Sequence, residues 1–242
     1  MIYYKNLLLF ISLFFPIVSY ADCEKWINQL IDELHHTRTS NMAICKVWPA
    51  DESKTIVVLP FPHETGENDT YDLDVLLINS ESGELIANRW QADALISDAI
   101  RLDSFDIDTA RYQLNPQTLA FGIRFNYVGS SQANPFNIQY LNLYVEQGKK
   151  LRQVITQLPM NQSSGEWDTN CDGEFETHDK KIILGNNTTN DYVDLIISEK
   201  SQNQIYKEND KGECAEQVIN LPNKRNFLHY NGVEYPITTS VK

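Results

Sequence analysis

Between residues 119 and 127 the apolar residues Leu119, Phe121, Ile123, Phe125 and Tyr127 alternate without a break with Ala120, Gly122, Arg124 and Asn126. A strand turns successive side chains to opposite faces, so this period of two commits the stretch to a β-strand with one core face and one small or polar face. The alternation recurs in Leu73, Val75 and Leu77 against Asp72 and Asp74. A turn at Ser80-Glu81-Ser82-Gly83 and a second run, Leu85-Ile86-Ala87, then predict a hairpin. Leu141, Leu143 and Val145, the turn Gln147-Gly148-Lys149 and the return over residues 151–155 predict another. Residues 181–184, 193–197 and 204–207 read as further short strands, broken by an Asn- and Thr-rich turn over 185–190 and by Asn209-Asp210-Lys211-Gly212. The fold expected is all-β, mainly an antiparallel meander, arranged as an irregular β-sandwich or in a propeller-like way. Residues 61–69 and 129–137 interrupt the strands and read as exposed loops.

One helix precedes the strands. Trp26, Ile27, Leu30, Ile31 and Leu34 recur at spacings of three and four, one stripe of an amphipathic helix over residues 23–36. His35 and His36 close it, where an imidazolium would meet the negative end of the helix dipole. Ahead of the helix, Lys5 is followed by an apolar run over residues 7–18 and by Ser19-Tyr20-Ala21, the order of a secretory signal peptide. Residues 1–21 are expected to be removed by cleavage after Ala21, leaving one β-rich domain over residues 22–242. The run falls short of the roughly 20 apolar residues that span a bilayer, so no membrane insertion is expected once the leader is removed.

An exported chain meets oxidising conditions, and the even set Cys23, Cys45, Cys171 and Cys214 then reads as disulfides. Of the three pairings, Cys23–Cys45 and Cys171–Cys214 close the loops of moderate length. The net charge is −13, and loss of the leader with Lys5 makes it one unit more negative. Such acidity argues against nucleic acid, which is held by Lys and Arg that displace its counterions. A basic protein is the partner it favours.

Residues 168–179, Asp168-Thr169-Asn170-Cys171-Asp172-Gly173-Glu174-Phe175-Glu176-Thr177-His178-Asp179, follow the spacing of a calcium loop. Calcium takes six to eight oxygens, and alternate positions of such a loop point them inward. Asp168, Asn170, Asp172, Glu174, Glu176 and Asp179 are the candidate ligands, and calcium is the one cofactor suggested. Position 12 is Asp where a longer Glu would chelate, and an acidic turn stapled by Cys171 is the competing reading. The five histidines lack the His-Glu-x-x-His spacing of a zinc protease, and no serine elbow or phosphate-binding glycine loop is present. Carboxylates such as Asp72 with Asp74, or Asp103, Asp106 and Asp108, are the catalytic groups in good supply, although acids on the outer face of a strand are ordinarily solvated. Arg124, mid-strand, is expected to pair with an acid.

The segments Phe121-Gly122-Ile123-Arg124, the hairpin over residues 141–155, and Gly165-Glu166-Trp167-Asp168-Thr169-Asn170-Cys171 resemble a set of exported β-rich proteins of Gram-negative bacteria that have no agreed activity. The resemblance implies export and β architecture. Residues 191–197 are similar to propeller repeats with Asp-rich strand ends, which implies a binding platform. The function expected is a non-catalytic periplasmic or secreted binding protein, one form of which is an inhibitor or immunity-type protein for a basic partner. A secreted hydrolase with paired carboxylates and a structural envelope protein are the alternatives.

Overall fold

A computed structural model describes residues 23–63 and 69–237, so the expected signal peptide lies outside the described residues. Helix α1 (Glu24–Leu34) is followed by twelve strands: β1 (Ile44–Val47), β2 (Lys54–Pro62), β3 (Asp69–Asn79), β4 (Leu85–Ser97), β5 (Ile100–Asn115) and β6 (Thr118–Gly129), then β7 (Phe136–Gln147), β8 (Lys150–Trp167), β9 (Gly173–Thr189), β10 (Tyr192–Glu208), β11 (Cys214–Asn220) and β12 (Lys224–Leu228). They form one sheet in the order β1-β2-β3-β4-β8-β7-β6-β5; β9 branches from β8, and β10 pairs with β9, β11 and β12. All pairings are antiparallel except a single parallel bridge, Asn88 to Lys150, between β4 and β8. The chain is therefore all-β with one N-terminal helix.

The sheet bends so that β1–β4 and β5–β7 face one another. Ile56, Val58, Leu73, Val75 and Leu77 meet Phe105, Phe121, Ile123, Phe125 and Tyr144 in the main core, as their alternation requires. The reverse face of β6 to β8 is covered as well. Ala120, Leu141, Leu143, Val154 and Ile155 there pack against Leu195 and Ile197 of β10, Leu228 of β12 and Tyr235. This second core is why the alternate positions of β6 are small as well as polar. The third cluster lies outside β2 and β3, where Leu30 and Ile31 of α1 cover Val57, Leu59, Phe61, Leu76 and Ile78. Burying each of these two helix side chains is worth about 1.5–3 kcal/mol.

Both expected disulfides are present. Cys23–Cys45 ties the start of α1 to β1, and Cys171–Cys214 ties the β8–β9 turn to β11. Among the described residues no helix is long and apolar enough to cross a membrane.

Two boundaries differ from expectation. Residues 185–189 do not turn: β9 continues to Thr189, and the reversal is made by Asn190 and Asp191 alone, at φ 49° and 71°. Two successive left-handed residues make the tight hairpin turn that suits the twist of paired strands, and Asn and Asp tolerate that conformation. Phe61 and Pro62 belong to β2, and Phe61 is fully buried. Pro60 and Pro62 are tolerated because β1 pairs with β2 only as far as Val58, so no strand needs their missing N–H groups. Ser40 instead donates to the Pro60 carbonyl at 2.6 Å.

Candidate functional site

The ends of β8, β9 and β10 form an arm beyond the cores. In it Glu166 stands directly opposite Glu174, and Ser164 opposite Glu176; Ile205 and Asn203 of β10 continue the two rows. Side chains opposite one another share a face, so these residues lie together on one side of the arm. On the other side Trp167 lies over Gly173 and Phe175 over Gly165, and Tyr206 completes a trio with ring centroids 5.6 to 5.7 Å apart. A Cβ at Gly165 would come within 2.5 Å of the Phe175 ring, and one at Gly173 within 2.4 Å of the Trp167 ring. The two glycines are the seats of the two rings.

An open groove of about 1130 Å³ runs along this arm. Glu166, Asp168, Asp172, Glu174 and Glu176 line it, and no Lys, Arg or His does so among the described residues. Ala133 and Asn134 form one wall. Their loop is held to the end of β8 by the Trp167 N–H, which donates to the Ala133 carbonyl at 2.8 Å, and the Gly165 N–H, which donates to Pro135 at 3.1 Å. Like charges directly opposite on a sheet repel, so the Glu166–Glu174 pair weakens the arm. Asn203, also lining the groove, has a buried side-chain oxygen that receives no donor. At the far end His178 closes the row, its ring nitrogens 3.1 Å from Glu176 and Glu199 and 2.8 Å from Ser201.

The structure does not gather the six candidate calcium ligands into one sphere. Asp168, Asn170 and Asp172 lie in the β8–β9 turn, and Asp168 Oδ1 accepts the backbone N–H groups of Asn170 at 2.8 Å and Asp172 at 2.9 Å. The Asn170 amide leads in holding that carboxyl below its ordinary value. Glu174, Glu176 and Asp179 are already on extended β9, paired to β8 and β10. At about 3.3 Å per residue, Asp179 lies roughly 23 Å along the strand from Asp172. Four of the six, Asp168, Asp172, Glu174 and Glu176, line the groove.

A second constellation sits where β2, β3 and β4 leave the cover of α1. Asp72 and Asp74 are buried, contrary to the solvated outer face expected of them. Their face is the one that carries Leu76 and Ile78 under the helix. Asp72 accepts from Arg38 at 2.5 Å, from His63 at 2.7 Å and from the Asp93 N–H at 2.8 Å. Burial raises its carboxyl, but these three donors outweigh it and hold it below the usual value. Asp74 is bonded to His35 at 3.0 Å and Asn88 at 3.2 Å, and burial there prevails and raises it. The His35 ring thus does not meet the helix end; it turns to Asp74, between Phe61 and Trp90. His36 is exposed. His63 and His35 carried no signal of this in their spacing. Asp72 and Asp74 did, because they continue an apolar row.

Arg124 is paired as expected. It donates to Asp108 Oδ2 from Nε at 2.8 Å and Nη2 at 2.6 Å, and to Gln139 at 2.5 Å. Asp103 and Asp106 are occupied by Arg101 and Asn126. No protein-family model matches the chain, and neither curated proteins nor solved structures show a match to it.

Proposed function

We propose that this is an exported, non-catalytic binding protein, periplasmic or secreted, whose acidic groove takes a Lys- or Arg-rich surface of a basic partner protein. The observation that carries the reading is the groove itself: five carboxylates, no lining base, and two glutamates set face to face on a paired sheet. A cationic side chain inserted there relieves the repulsion and gains charge-assisted hydrogen bonds. The strongly negative chain as a whole speeds encounter with a positive partner, and salt slows it. The aromatic trio, two of whose members, Trp167 and Phe175, also line the groove, and Cys171–Cys214 brace the arm, so the carboxylates are held in place before a partner arrives. An inhibitor or immunity-type role fits a rigid surface that masks a basic one. Two disulfides are in keeping with an oxidising compartment.

The reading is tested by immobilising the oxidised protein and the E166Q/E174Q/E176Q variant in parallel and passing a periplasmic extract over both. Retention of a basic protein by the wild type, its release by a salt gradient, and its loss from the variant are expected. Equal retention by the two surfaces, or none by either, would overturn the assignment.

A further inference from the structure

We infer that His63, Asp72 and Asp93 form a binding site for a first-row divalent cation of the zinc type, separate from the acidic groove. One ligand atom of each lies within 4.8 Å of the others, and among the described residues no other group of three His, Cys, Asp or Glu side chains is so placed. His63 Nε2 is 2.7 Å from Asp72 Oδ1 and 3.8 Å from Asp93 Oδ1. With bonds of about 2.1 Å, neighbouring ligands of a tetrahedral or octahedral ion stand about 3.0–3.4 Å apart, so the observed separations bracket what an ion imposes.

Three elements converge to make this possible. His63 follows the last residue of β2, Asp72 lies on β3, and Asp93 is carried by an irregularity of β4, where the register jumps from Leu73–Gln91 to Tyr71–Leu95. Asp93 takes φ 47°, and its N–H is bonded back to Asp72 Oδ1. Such irregularities re-aim a side chain, and here the carboxylate is brought to the histidine. Side-chain exposure rises from 6 % at Asp72 through 31 % at His63 to 71 % at Asp93, which leaves an entry path and open positions for water.

The outer support is also in place. Arg38 holds the second oxygen of Asp72, and is itself set against Phe61 and Trp90, so the ligating carboxylate is fixed in orientation. With His63 neutral, two carboxylates and one guanidinium leave a local charge of minus one, which a divalent ion reverses. On binding, the proton that neutral His63 carries on Nε2 is transferred to Nδ1 through solvent, and the freed Nε2 lone pair takes up the metal in place of the hydrogen bond to Asp72 Oδ1. One imidazole and so few protein donors suit zinc and its neighbours, whereas calcium requires six to eight oxygens.

Isothermal titration of the untagged, oxidised protein with zinc is expected to show one site. H63Q and D93N should each weaken it at least tenfold, whereas E174Q/E176Q in the groove should leave it unchanged. Asp93 is largely exposed, so D93N keeps the fold, checked by far-UV circular dichroism, and is the decisive variant. Absence of zinc binding, binding unchanged in D93N and H63Q, binding lost in E174Q/E176Q, or calcium bound as tightly as zinc would each overturn the site.

Discussion

Asp72 and Asp74 stand two residues apart on one face of β3, both buried, and their carboxyls are shifted in opposite directions. The difference lies in what surrounds them. Asp72 has a full positive charge at Arg38 as well as His63 and a backbone N–H, whereas Asp74 has His35 and the neutral Asn88.

This contrast fixes the sign of two pH effects. An acid held below its unfolded value, near 3.9, stabilises the fold at every pH above that value, and the benefit is lost as pH falls through the folded value. Asp72 is of this kind. Asp74, raised, behaves in the reverse sense: the fold loses stability as pH rises from the unfolded value through the folded one. Asp72→Asn is therefore expected to cost about 1.5–3 kcal/mol at pH 7 and progressively less in acid below pH 4. Asp74→Asn is expected to stay within about 1 kcal/mol of the wild type at pH 7 and to flatten the curve above pH 4. Urea unfolding from pH 3 to pH 8 measures both, and equal losses at pH 7 would refute the contrast.

The pair between Arg124 and Asp108 is the structural ion pair of β5 and β6. Burial raises the Asp108 carboxyl, while the Ala110 N–H, Tyr112 and Arg124 more than offset it. Arg124→Leu strands that carboxylate and should cost about 3 kcal/mol. Asp108→Asn with Arg124→Leu should recover part of the loss, because no uncompensated charge then remains. Thermal unfolding of the two single variants and the double variant checks this; strict additivity would show that the residues do not interact.

What could be seen in the sequence follows the range of the forces involved. Alternation is local, and Leu119 to Tyr127 and the turns at Gly83 and Gly148 all marked elements that formed. Helix α1 and both disulfides were equally legible, since Trp26 to Ile31 make one stripe and the cysteines lie at the two ends of the chain. The length of β9 and β10 was not, because Asn186 and Asn187 are poor strand formers; they lie in an irregularity of the register, and the pairing of Leu184 with Leu195 and of Thr188 with Val193 on either side carries the strand past them. The calcium-loop spacing of residues 168–179 did not foretell the course of the backbone either. From Gly173 onward the backbone is committed to two neighbouring strands and does not wrap. The groove depends on Glu166 meeting Glu174, a register set by the turn between them, and the His63–Asp72–Asp93 group depends on a break in β4 that no local pattern announces.

The aromatic seats offer a test of how the arm holds its carboxylates. Gly173→Ala places a methyl group 2.4 Å from Trp167 Cε3, and the ring must leave. Trp167 also bears on Phe175 and Tyr206, so its displacement loosens β8, β9 and β10 together while both cores, which lie elsewhere in the sheet, are untouched. Overpacking of this kind costs about 1–3 kcal/mol. The variant should fold, show a red-shifted tryptophan emission, exchange the amide protons of residues 164–167 and 173–176 faster, and bind a basic partner more weakly. A Gly148→Ala control, strained at φ 61° but with open space around the new methyl, should lower stability while altering neither emission nor partner binding. If Gly173→Ala bound the partner as tightly as the wild type while its amides exchanged faster, a preformed arm would not be what the groove contributes to recognition.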